Sequence, residues 1–349
     1  MTVRRLLGRL LVLVAALALL ALVGAGVAMY VLSRPYQGYP GGETTVVIAP
    51  GAGVQHILNQ LQSAGVLRDA RFARLVLDYR LGRPALRAGE YHFQGPLAPA
   101  EVLAKLVRGD VVLHPVTLPE GLDMEEIADR LVLAGLGERS HLLAAMRDPG
   151  PIRDLDPQAP DLEGYLFPET YAFARGTPET EIVATLVRTF RRRFDAEVRP
   201  LLDPGAPLTL RRIVTLASIV EQEARRDEER PVIAGVYANR LRLGMGLYAD
   251  PTVAFALRRH GRYDGTIHKA DLSIDDPYNT YRVSGLPPGP ICSPGTKSLE
   301  AAARPADVPY LYFVARNDGT HAFAATLAEH NRNVEIFQKR YWRQRRERR

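Results

Sequence analysis

The sequence predicts an α+β protein of 349 residues, with an N-terminal transmembrane helix, a small α+β module and a larger α+β domain. Three observations carry this prediction: an apolar run near the start, a strand–helices–strand order after it, and amphipathic helical stretches with a hairpin towards the end. Hydrophobic residues make up 46% of the chain and charged residues 24%, which is ordinary for globular domains. The predicted segments are a cytoplasmic stub 1–9, a transmembrane helix 10–32, a linker 33–44, the module 45–118, the larger domain 119–341 and a basic tail 342–349.

The apolar run from Leu10 to Leu32 is almost unbroken Leu, Val and Ala. It is long enough to cross a bilayer, which takes roughly 20 apolar residues. It also exceeds the roughly 7–15 apolar residues of a signal peptide, although an A-x-A-like pattern at Val23–Ala28 leaves cleavage open as an alternative. Three arginines at positions 4, 5 and 9 precede the run and only Arg34 follows closely. The positive-inside rule therefore predicts a cytoplasmic N-terminus, with the bulk of the chain beyond the cytoplasmic membrane.

Composition excludes several classes of function. A single cysteine, Cys292, excludes an intramolecular disulfide, and no Cys/His spacing resembles a zinc site. The net charge of +6 is concentrated at the two ends, where the tail R-Y-W-R-Q-R-R-E-R-R is interpreted as a solvated terminus rather than a contact to phosphate or anionic lipid. Because no recognition module accompanies the charge, we expect no nucleic-acid partner.

The small module starts with a predicted strand at Thr45–Ile48 and a Pro-Gly turn, and a helix follows. The inward residues of that helix are Val54, Ile57, Leu58 and Leu61, with Gly65 as its C-cap. A second helix at Asp69–Arg80, a strand in L-R-A-G-E-Y-H-F, a helix at Pro99–Arg108 ended by Gly109 and a strand in V-V-L-H-P-V-T-L-P complete the module. This order, together with V-x-x-G-x-x-x-x-x-I-x-x-x-L, resembles a LysM-like module, the kind that lies along N-acetylated sugar chains. A small α+β domain without such a role is the alternative.

The larger domain begins with a predicted amphipathic helix at Glu120–Leu136, and a second at Glu179–Val198 carries arginines on its outer face. Between them, D-L-E-G-Y-L-F-P-E-T-Y is dense in aromatic rings and carboxylates. Such a segment suits a sugar groove, where rings stack on sugars and polar groups bind hydroxyls. It suits a buried hinge equally well, because aromatic side chains bury large areas in cores.

A central helix is predicted over Thr209–Arg226, with Thr209 as its N-cap. Its apolar stripe consists of Ile213, Leu216, Ala217, Val220 and Ala224. Glu221 lies at the margin of this stripe, where partial desolvation favours a protonated carboxyl that can deliver a proton. The alternative is an ordinary i,i+4 ion pair between Glu221 and Arg225.

The remaining elements follow from turn and cap signals. Pro231 and Gly244 bound one predicted helix, and another runs from A-D-P-T to Leu257. The long irregular run D-D-P-Y-N-T-Y-R-V-S-G-L-P-P-G-P-I-C-S-P-G is predicted to be functional, since its tyrosines and apolar residues argue against disorder. A helix from Ser298, a hairpin of Y-L-Y-F-V-A-R and H-A-F-A-A around N-D-G, and a final helix A-T-L-A-E-H-N-R-N-V-E-I-F-Q-K-R complete the domain.

Several motifs in one order resemble a single family, the endolytic murein transglycosylases, also called YceG-like proteins. The motifs are E-G-Y-L-F-P-E-T-Y, A-S-I-V-E-Q-E, Y-A-N-R-L-x-x-G-M-x-L-x-x-D-P-T, Y-N-T-Y-x-x-x-G-L-P-P-G-P-I, P-G-x-x-S-L-x-A-A, P-Y-L-Y-F-V and H-x-F-x-x-T-L-x-E-H-N. Each is weak alone, but seven in this order are highly specific. The resemblance covers essentially the whole chain, and the tail after Tyr341 is more basic than it implies.

The resemblance implies that Glu221, the first glutamate of A-S-I-V-E-Q-E, is the catalytic acid/base, and that Glu223 has a structural or supporting role. The expected sugar contacts, chosen by residue type and motif membership, are Tyr278, Asn279, Tyr281, Glu163 and Asn331. The family cleaves peptidoglycan internally between N-acetylmuramic acid and N-acetylglucosamine, without water, and leaves a 1,6-anhydro ring. No cofactor or metal is expected. The implied partners are peptidoglycan glycan strands, the membrane and penicillin-binding synthases of the wall machinery.

Two other functions remain as alternatives. One is a non-catalytic, membrane-anchored scaffold that binds peptidoglycan without cutting it. The other is a metal-dependent hydrolase using His268, His321 and His330, which is disfavoured because their spacing is irregular and no H-E-x-x-H motif exists.

Overall fold

The computed structural model describes residues 2–202, 209–341 and 343. The chain divides into two compact units. The first consists of Met1–His114 with Ala174–Gly176, and the second of Pro115–Phe173 with Thr177–Arg349. Helices and strands are mixed in the chain, which confirms the α+β class at that level. Apart from Arg343, the predicted basic tail lies outside the described residues.

The first helix, α1, spans Thr2–Ser33. Its segment Leu13–Ser33 has a mean hydropathy of 2.4 and lies outside the core. Among the described residues, this is the one helix long and apolar enough to cross a membrane. The helix is therefore compatible with the predicted single-pass anchor.

The first unit is built on a two-stranded antiparallel sheet, whose register runs from Glu43↔Gln94 to Ile48↔Gly89. Two helices connect the strands and a third follows them. The bounds are β1 Glu43–Ile48, α2 Val54–Ser63, α3 Ala70–Leu75 with a π-helical continuation Val76–Arg80, β2 Gly89–Gln94 and α4 Pro99–Arg108. Strand and helix faces share one core, formed by Val46, Ile48, Ile57, Leu58, Leu61, Tyr91, Phe93, Val102, Leu103 and Leu106, among others. The predicted elements of the module from Thr45 to Gly109 are thus confirmed. The predicted closing strand is wrong as part of the module, because Leu113–Thr117 pairs with Thr170–Ala174. The LysM-like character of the module stays a prediction.

The second unit holds most of the chain's helices and two small sheets. Its bounds are β3 Leu113–Thr117, α5 Met124–Leu133, α6 Arg139–Met146, β4 Thr170–Ala174, α7 Glu179–Arg193 with a π-helical continuation Phe194–Val198, α8 Leu210–Glu223, α9 Arg230–Arg242, α10 Asp250–Arg259, α11 Thr296–Ala303, β5 Tyr312–Ala315, β6 His321–Ala324 and α12 Leu327–Val334 with a π-helical continuation Glu335–Arg340. Strands β3 and β4 pair, and β5 and β6 form the predicted antiparallel hairpin.

Helix α8 is the centre of the second unit, since every residue from Ile213 to Val220 is buried. Thr209 caps it as predicted, accepting a hydrogen bond from the Arg212 amide. The predicted helix is three residues too long, however. It ends at Glu223, and Ala224 is extended, with φ −78° and ψ 129°. Arg225 therefore lies beyond the helix, and the predicted i,i+4 pair with Glu221 is replaced by an ion pair to Arg230.

Helix α5 also differs from its predicted bounds, because it starts at Met124 rather than Glu120. Asp123 is the N-cap. Its carboxylate accepts a hydrogen bond from the Glu126 amide, and the Glu126 carboxylate accepts one from the Asp123 amide. This capping box sets the start of the helix more firmly than the apolar periodicity does.

The long irregular run packs directly against α8. The Ile291 amide donates to Oγ of Ser218 over 3.0 Å, and Sγ of Cys292 contacts the Ser218 carbonyl at 3.3 Å. Both Ile291 and Cys292 are fully buried. The run is therefore an ordered part of the core, as its apolar content predicts.

Candidate active site

The last turn of α8 places two glutamates in different surroundings. The Glu221 side chain is only 6% exposed, and its Oε1 lies 2.9 Å from Nη1 of Arg230, which is itself buried. Its Oε2 accepts a hydrogen bond from the Gly295 amide over 3.0 Å. The two carboxylate oxygens of Glu221 are therefore both occupied, one by a guanidinium and one by a backbone amide.

Among the residues that the structure describes, Glu223 has no such cationic partner in direct contact. Its Oε1 accepts a hydrogen bond from the Tyr237 hydroxyl at 3.1 Å. Burial raises the pKa of Glu223 to about 7, and the negative charge of Asp250 acts in the same direction. The Tyr237 hydrogen bond and the positive charge of Arg240 oppose the rise. A carboxyl that titrates near neutral pH suits both giving and taking a proton.

Glu223 also faces open space. It lines a cavity of about 350 Å³, which we call the α8 cavity. Its other lining residues include Gln222, Arg225, Asp250, Arg258, Tyr263 and His321. Glu221 does not belong to this lining, although it lies on the same helical turn. Of the two glutamates, Glu223 is therefore the one with access to a ligand in the α8 cavity.

Two sequence motifs, Y-A-N-R-L-x-x-G-M-x-L-x-x-D-P-T and Y-N-T-Y-x-x-x-G-L-P-P-G-P-I, converge on Glu223, which itself lies in A-S-I-V-E-Q-E. Tyr237 comes from Y-A-N-R-L on α9, and Asp250 opens α10 in D-P-T. The Tyr281 hydroxyl, from Y-N-T-Y, donates to Oδ1 of Asp250 over 2.6 Å. The same loop is fixed by the hydroxyls of Thr252 and Thr280, which lie 2.9 Å apart in the core. The motifs thus form one network around the carboxyl.

Asn279 supports this loop from inside. It is fully buried, and its amide donates to the carbonyls of Leu272 and Ile274 over 3.1 and 2.8 Å. Its Oδ1 accepts a hydrogen bond from the Tyr281 amide over 3.0 Å. Since its side chain is enclosed and bonded to the backbone, Asn279 positions Tyr281 instead of presenting a surface to sugar.

Glu163 and Tyr278 lie together in a larger cavity of about 930 Å³, which we call the α5–α10 cavity. The Tyr278 ring packs on Phe255, with ring centroids 4.9 Å apart. Arg258 and Tyr263 line both this cavity and the α8 cavity, so the two share a wall. Two of the predicted sugar contacts are therefore brought together beside the cavity of Glu223.

The segment E-G-Y-L-F-P-E-T-Y is interpreted from its sequence either as part of a sugar groove or as a buried hinge, and its residues divide between the two. Its rings Tyr165, Phe167 and Tyr171 are all buried in the core. The Tyr165 hydroxyl donates to Asp156 over 2.6 Å, and the Tyr171 hydroxyl donates to the Phe167 carbonyl over 2.7 Å. The hinge interpretation fits these rings, while Glu163 is the member that reaches a cavity.

Asn331 and the three histidines lie elsewhere or have other partners. Asn331 is exposed on α12 and lines neither cavity. His268 pairs with Asp264 at 3.1 Å, His321 pairs with Glu229 at 2.7 Å, and His330 stacks on Tyr312. Within the part of the chain that the structure describes, no group of three or more His, Cys, Asp and Glu is arranged to hold a metal ion.

Tyr237, Asp250 and Arg230 have no role that the sequence pattern alone predicts. Tyr237 and Asp250 lie inside motifs that were recognised, Y-A-N-R-L and D-P-T, so a signal was present. The hydrogen-bond partners of Glu221 and Glu223 could not be predicted from the sequence, because they depend on which elements pack against α8 in the folded chain.

Comparison with known proteins gives the family. The sequence model of the YceG-like family matches residues 46–336. The chain belongs to the YceG-like family. A relative from Bacillus subtilis (strain 168), named endolytic murein transglycosylase, is 31% identical over 83% of this YceG-like chain and 83% of its own length. A relative of the same name from Streptococcus pneumoniae (strain D39) is 29% identical over 91% of this chain and 63% of its own.

A solved structure agrees with this assignment. The crystal structure of a YceG-like protein from Listeria monocytogenes aligns with a TM-score of 0.56 and 32% identity. The alignment covers 83% of this YceG-like chain and 98% of the Listeria chain. The likeness therefore extends over nearly all of a solved relative.

Proposed function

We propose that this YceG-like chain is a membrane-anchored endolytic lytic transglycosylase of peptidoglycan. It cleaves the β-1,4 bond between N-acetylmuramic acid and N-acetylglucosamine without water and leaves 1,6-anhydro ends, which limits the length of nascent strands. The family and the names of its relatives support the reaction class. The observation that carries the mechanism is a cavity-lining glutamate, Glu223, whose pKa is raised to about 7 by burial.

We infer that the acid/base is Glu223, whereas the family resemblance implies Glu221. A general acid needs a proton at working pH and a path to the leaving oxygen. Both oxygens of Glu221 are occupied, one by the Arg230 guanidinium and the other by the Gly295 amide, and Glu221 does not line the α8 cavity. Glu223 lines the α8 cavity and titrates near neutral pH. We therefore assign proton transfer to Glu223, and to Glu221 the positioning of the turn that carries it.

The chemistry uses one carboxyl twice. Protonated Glu223 gives its proton to the glycosidic oxygen as positive charge develops at the anomeric carbon. The carboxylate then takes a proton from the C6 hydroxyl of the same sugar, whose oxygen attacks the anomeric carbon. The C1–O bond to the leaving sugar breaks and the C1–O6 bond forms, so no water is consumed. Since Tyr237 occupies Oε1 of Glu223, the proton moves through Oε2.

The remaining parts of the proposal concern the substrate contacts, the membrane anchor, the small module and the partners. Tyr278 and Glu163 in the α5–α10 cavity bind the sugar strand, and Tyr281 holds Asp250 beside Glu223. Helix α1 is a single-pass anchor with a cytoplasmic N-terminus, supported by its apolar segment Leu13–Ser33. The LysM-like module lies along glycan, and penicillin-binding synthases are the proposed partners.

The test uses the full-length chain in detergent with purified peptidoglycan, and mass spectrometry of the products. Anhydro-ended fragments support the proposal, reducing ends mean hydrolysis, and bound but uncut strands mean a scaffold. Glu223→Gln and Glu221→Gln are compared at equal folded concentration. We expect the first to lower the rate at least about 100-fold, as general-acid loss typically does, and the second to retain cleavage. The reverse ranking would return the acid/base role to Glu221.

A further inference from the structure

Glu163 has an oxygen that none of the described residues satisfies. The residue is 5% exposed, and its Oε2 accepts a hydrogen bond from the Met124 amide over 3.1 Å. Its Oε1 is buried and has no hydrogen-bond partner among the described residues. Buried polar atoms are nearly always paired, so an orphan beside a cavity of about 930 Å³ points to a ligand.

The electrostatic surroundings of Glu163 favour its protonated form. Burial raises its pKa well above the usual range, and the nearby charges of Asp123 and Asp161 act in the same direction, while the backbone amides of Met124 and Gly164 oppose the rise. Arg258 is paired with Asp123, its Nε lying 2.9 Å from Oδ2. A protonated carboxyl has one O–H donor, and with Oε2 taken by Met124 that donor belongs on Oε1.

The rest of the α5–α10 cavity limits the chemistry of the ligand. The rings of Tyr278, Phe255 and Tyr263 line it and offer apolar faces for a pyranose. Five carboxylates besides Glu163 line it, against three arginines. The carboxylates are Asp123, Glu125, Glu126, Asp129 and Asp161, and the arginines are Arg147, Arg258 and Arg259. Arg139, just outside the lining, pairs with Glu125 and Asp129 and reduces this excess of negative charge. The remaining excess disfavours an anionic group, such as the carboxylates of the stem peptide.

We propose that the α5–α10 cavity is a subsite for a neutral N-acetylated sugar of the glycan strand, with Glu163 donating its O–H to the acetamido carbonyl. A carbonyl only accepts, and a neutral acid is the form of a carboxyl that donates, so the two are complementary. A sugar hydroxyl could instead donate a hydrogen bond to an ionised carboxylate, so its recognition would not require a protonated group. N-acetylglucosamine, which lacks a lactyl or peptide arm, fits the negative rim better than N-acetylmuramic acid does.

The proposal deepens the proposed function and rests on it for the sugar class. Its test is calorimetric binding to the full-length chain carrying Glu223→Gln, which prevents turnover. The probes are chitotetraose and cellotetraose, two neutral β-1,4 tetrasaccharides that differ at C2, where one has an acetamido group and the other a hydroxyl. We expect chitotetraose to bind at least about tenfold tighter, as expected when a buried donor would otherwise lose its partner.

The Glu163 variants then locate the source of that preference. Glu163→Leu should abolish the preference, while Glu163→Gln, whose amide still donates, should retain most of it. A thermal melt of each variant checks that it is folded. Chitotetraose preference that survives in a folded Glu163→Leu variant, or no chitotetraose binding at all, overturns the subsite.

The outcomes separate the two proposals. If the wild-type chain makes anhydro-ended fragments but Glu163→Leu keeps the preference, the proposed function stands and the subsite fails. If the preference depends on Glu163 but the wild-type chain makes no such fragments, the subsite stands and the transglycosylase proposal fails.

Discussion

The Tyr237 hydroxyl lies 3.1 Å from Oε1 of Glu223 and donates a hydrogen bond to it. The two residues come from consecutive helices, α9 and α8, so the packing of that pair fixes the proton affinity of the carboxyl. Burial alone would push the pKa of Glu223 still higher, and the Tyr237 hydrogen bond moderates the rise to about 7. One fully buried hydroxyl therefore keeps this carboxyl titrating near neutrality.

Replacing Tyr237 by Phe should move the pH dependence of catalysis. The general acid is active when protonated, so kcat/KM should fall as the pH rises through the pKa of Glu223, which is about 7. Loss of the hydroxyl removes an interaction that stabilises the carboxylate, so the pKa rises and the alkaline limb shifts to higher pH. The measurement is kcat/KM for release of anhydro fragments between pH 5 and about 9, the range in which such shifts are visible.

The matched control is Tyr171→Phe, which also removes a buried tyrosine hydrogen bond, to the Phe167 carbonyl. Tyr171 lies in the core and does not line the α8 cavity. Loss of its hydroxyl should therefore lower the stability of the fold without shifting the alkaline limb of the pH dependence of kcat/KM. An unchanged limb in Tyr237→Phe, or equal shifts in the two variants, would contradict the assigned role.

Replacing Glu223 by Gln should stabilise the protein at alkaline pH. Its folded pKa, about 7, is above the ordinary value of 4.5. The wild-type chain therefore loses stability as the pH rises from the ordinary pKa through the folded one, because the unfolded state ionises more easily. Glutamine does not ionise, so the variant should gain on the order of 1–3 kcal/mol relative to wild type by pH 8, and little at pH 4.

Thermal unfolding of both proteins at several pH values measures this difference. The control is Glu228→Gln, an exposed position where the same change should leave the melting temperature nearly constant at every pH. If the stability gap between Glu223→Gln and wild type does not widen with pH, Glu223 does not titrate as described.

Local signals were enough to predict most of the fold. The Thr209 cap, the α4 helix with Gly109 at φ 75° after it, and the β5–β6 hairpin all lie where the sequence places them. Each is set by residues within a few positions of one another. The start of α5 and the end of α8 were harder to predict. In α5 the capping box, and not the apolar periodicity, sets the first residue, and α8 ends because Ala224 has an extended backbone.

The site could be predicted only as a set of motifs. Periodicity places Glu221 and Glu223 on one turn, yet it cannot say which meets a cation and which meets a cavity. That difference is made by Arg230, Tyr237 and Gly295, which are distant in sequence from their partners and come together only through packing. The choice between the two glutamates thus depends on tertiary contacts, which cannot be read from a single amino-acid sequence.

Replacing Glu221 by Gln should destabilise the fold. Arg230 would keep its contact to Asp227, but its buried guanidinium would lose the charge of its 2.9 Å partner. Breaking one half of a buried ion pair costs roughly 3 kcal/mol or more. Chemical denaturation should show this loss, with Glu228→Gln as the exposed control, while the folded fraction still cleaves peptidoglycan. Wild-type stability with abolished cleavage would instead identify Glu221 as the acid.

Replacing Gly164 by Ala should disturb both the fold and the position of Glu163. Gly164 has a φ of +84°, and a Cβ there would lie 2.5 Å from Cβ and Cγ of Pro290 and 2.9 Å from Cγ1 of Val214. Gly176 is the matched control, since its φ is +78° but no atom lies within 4 Å of its would-be Cβ. Gly176→Ala should cost only the left-handed strain of about 1–2 kcal/mol, and Gly164→Ala clearly more, because core atoms must also move. Denaturant unfolding measures both, and equal losses would mean that the turn before Tyr165 is not sterically fixed by its neighbours.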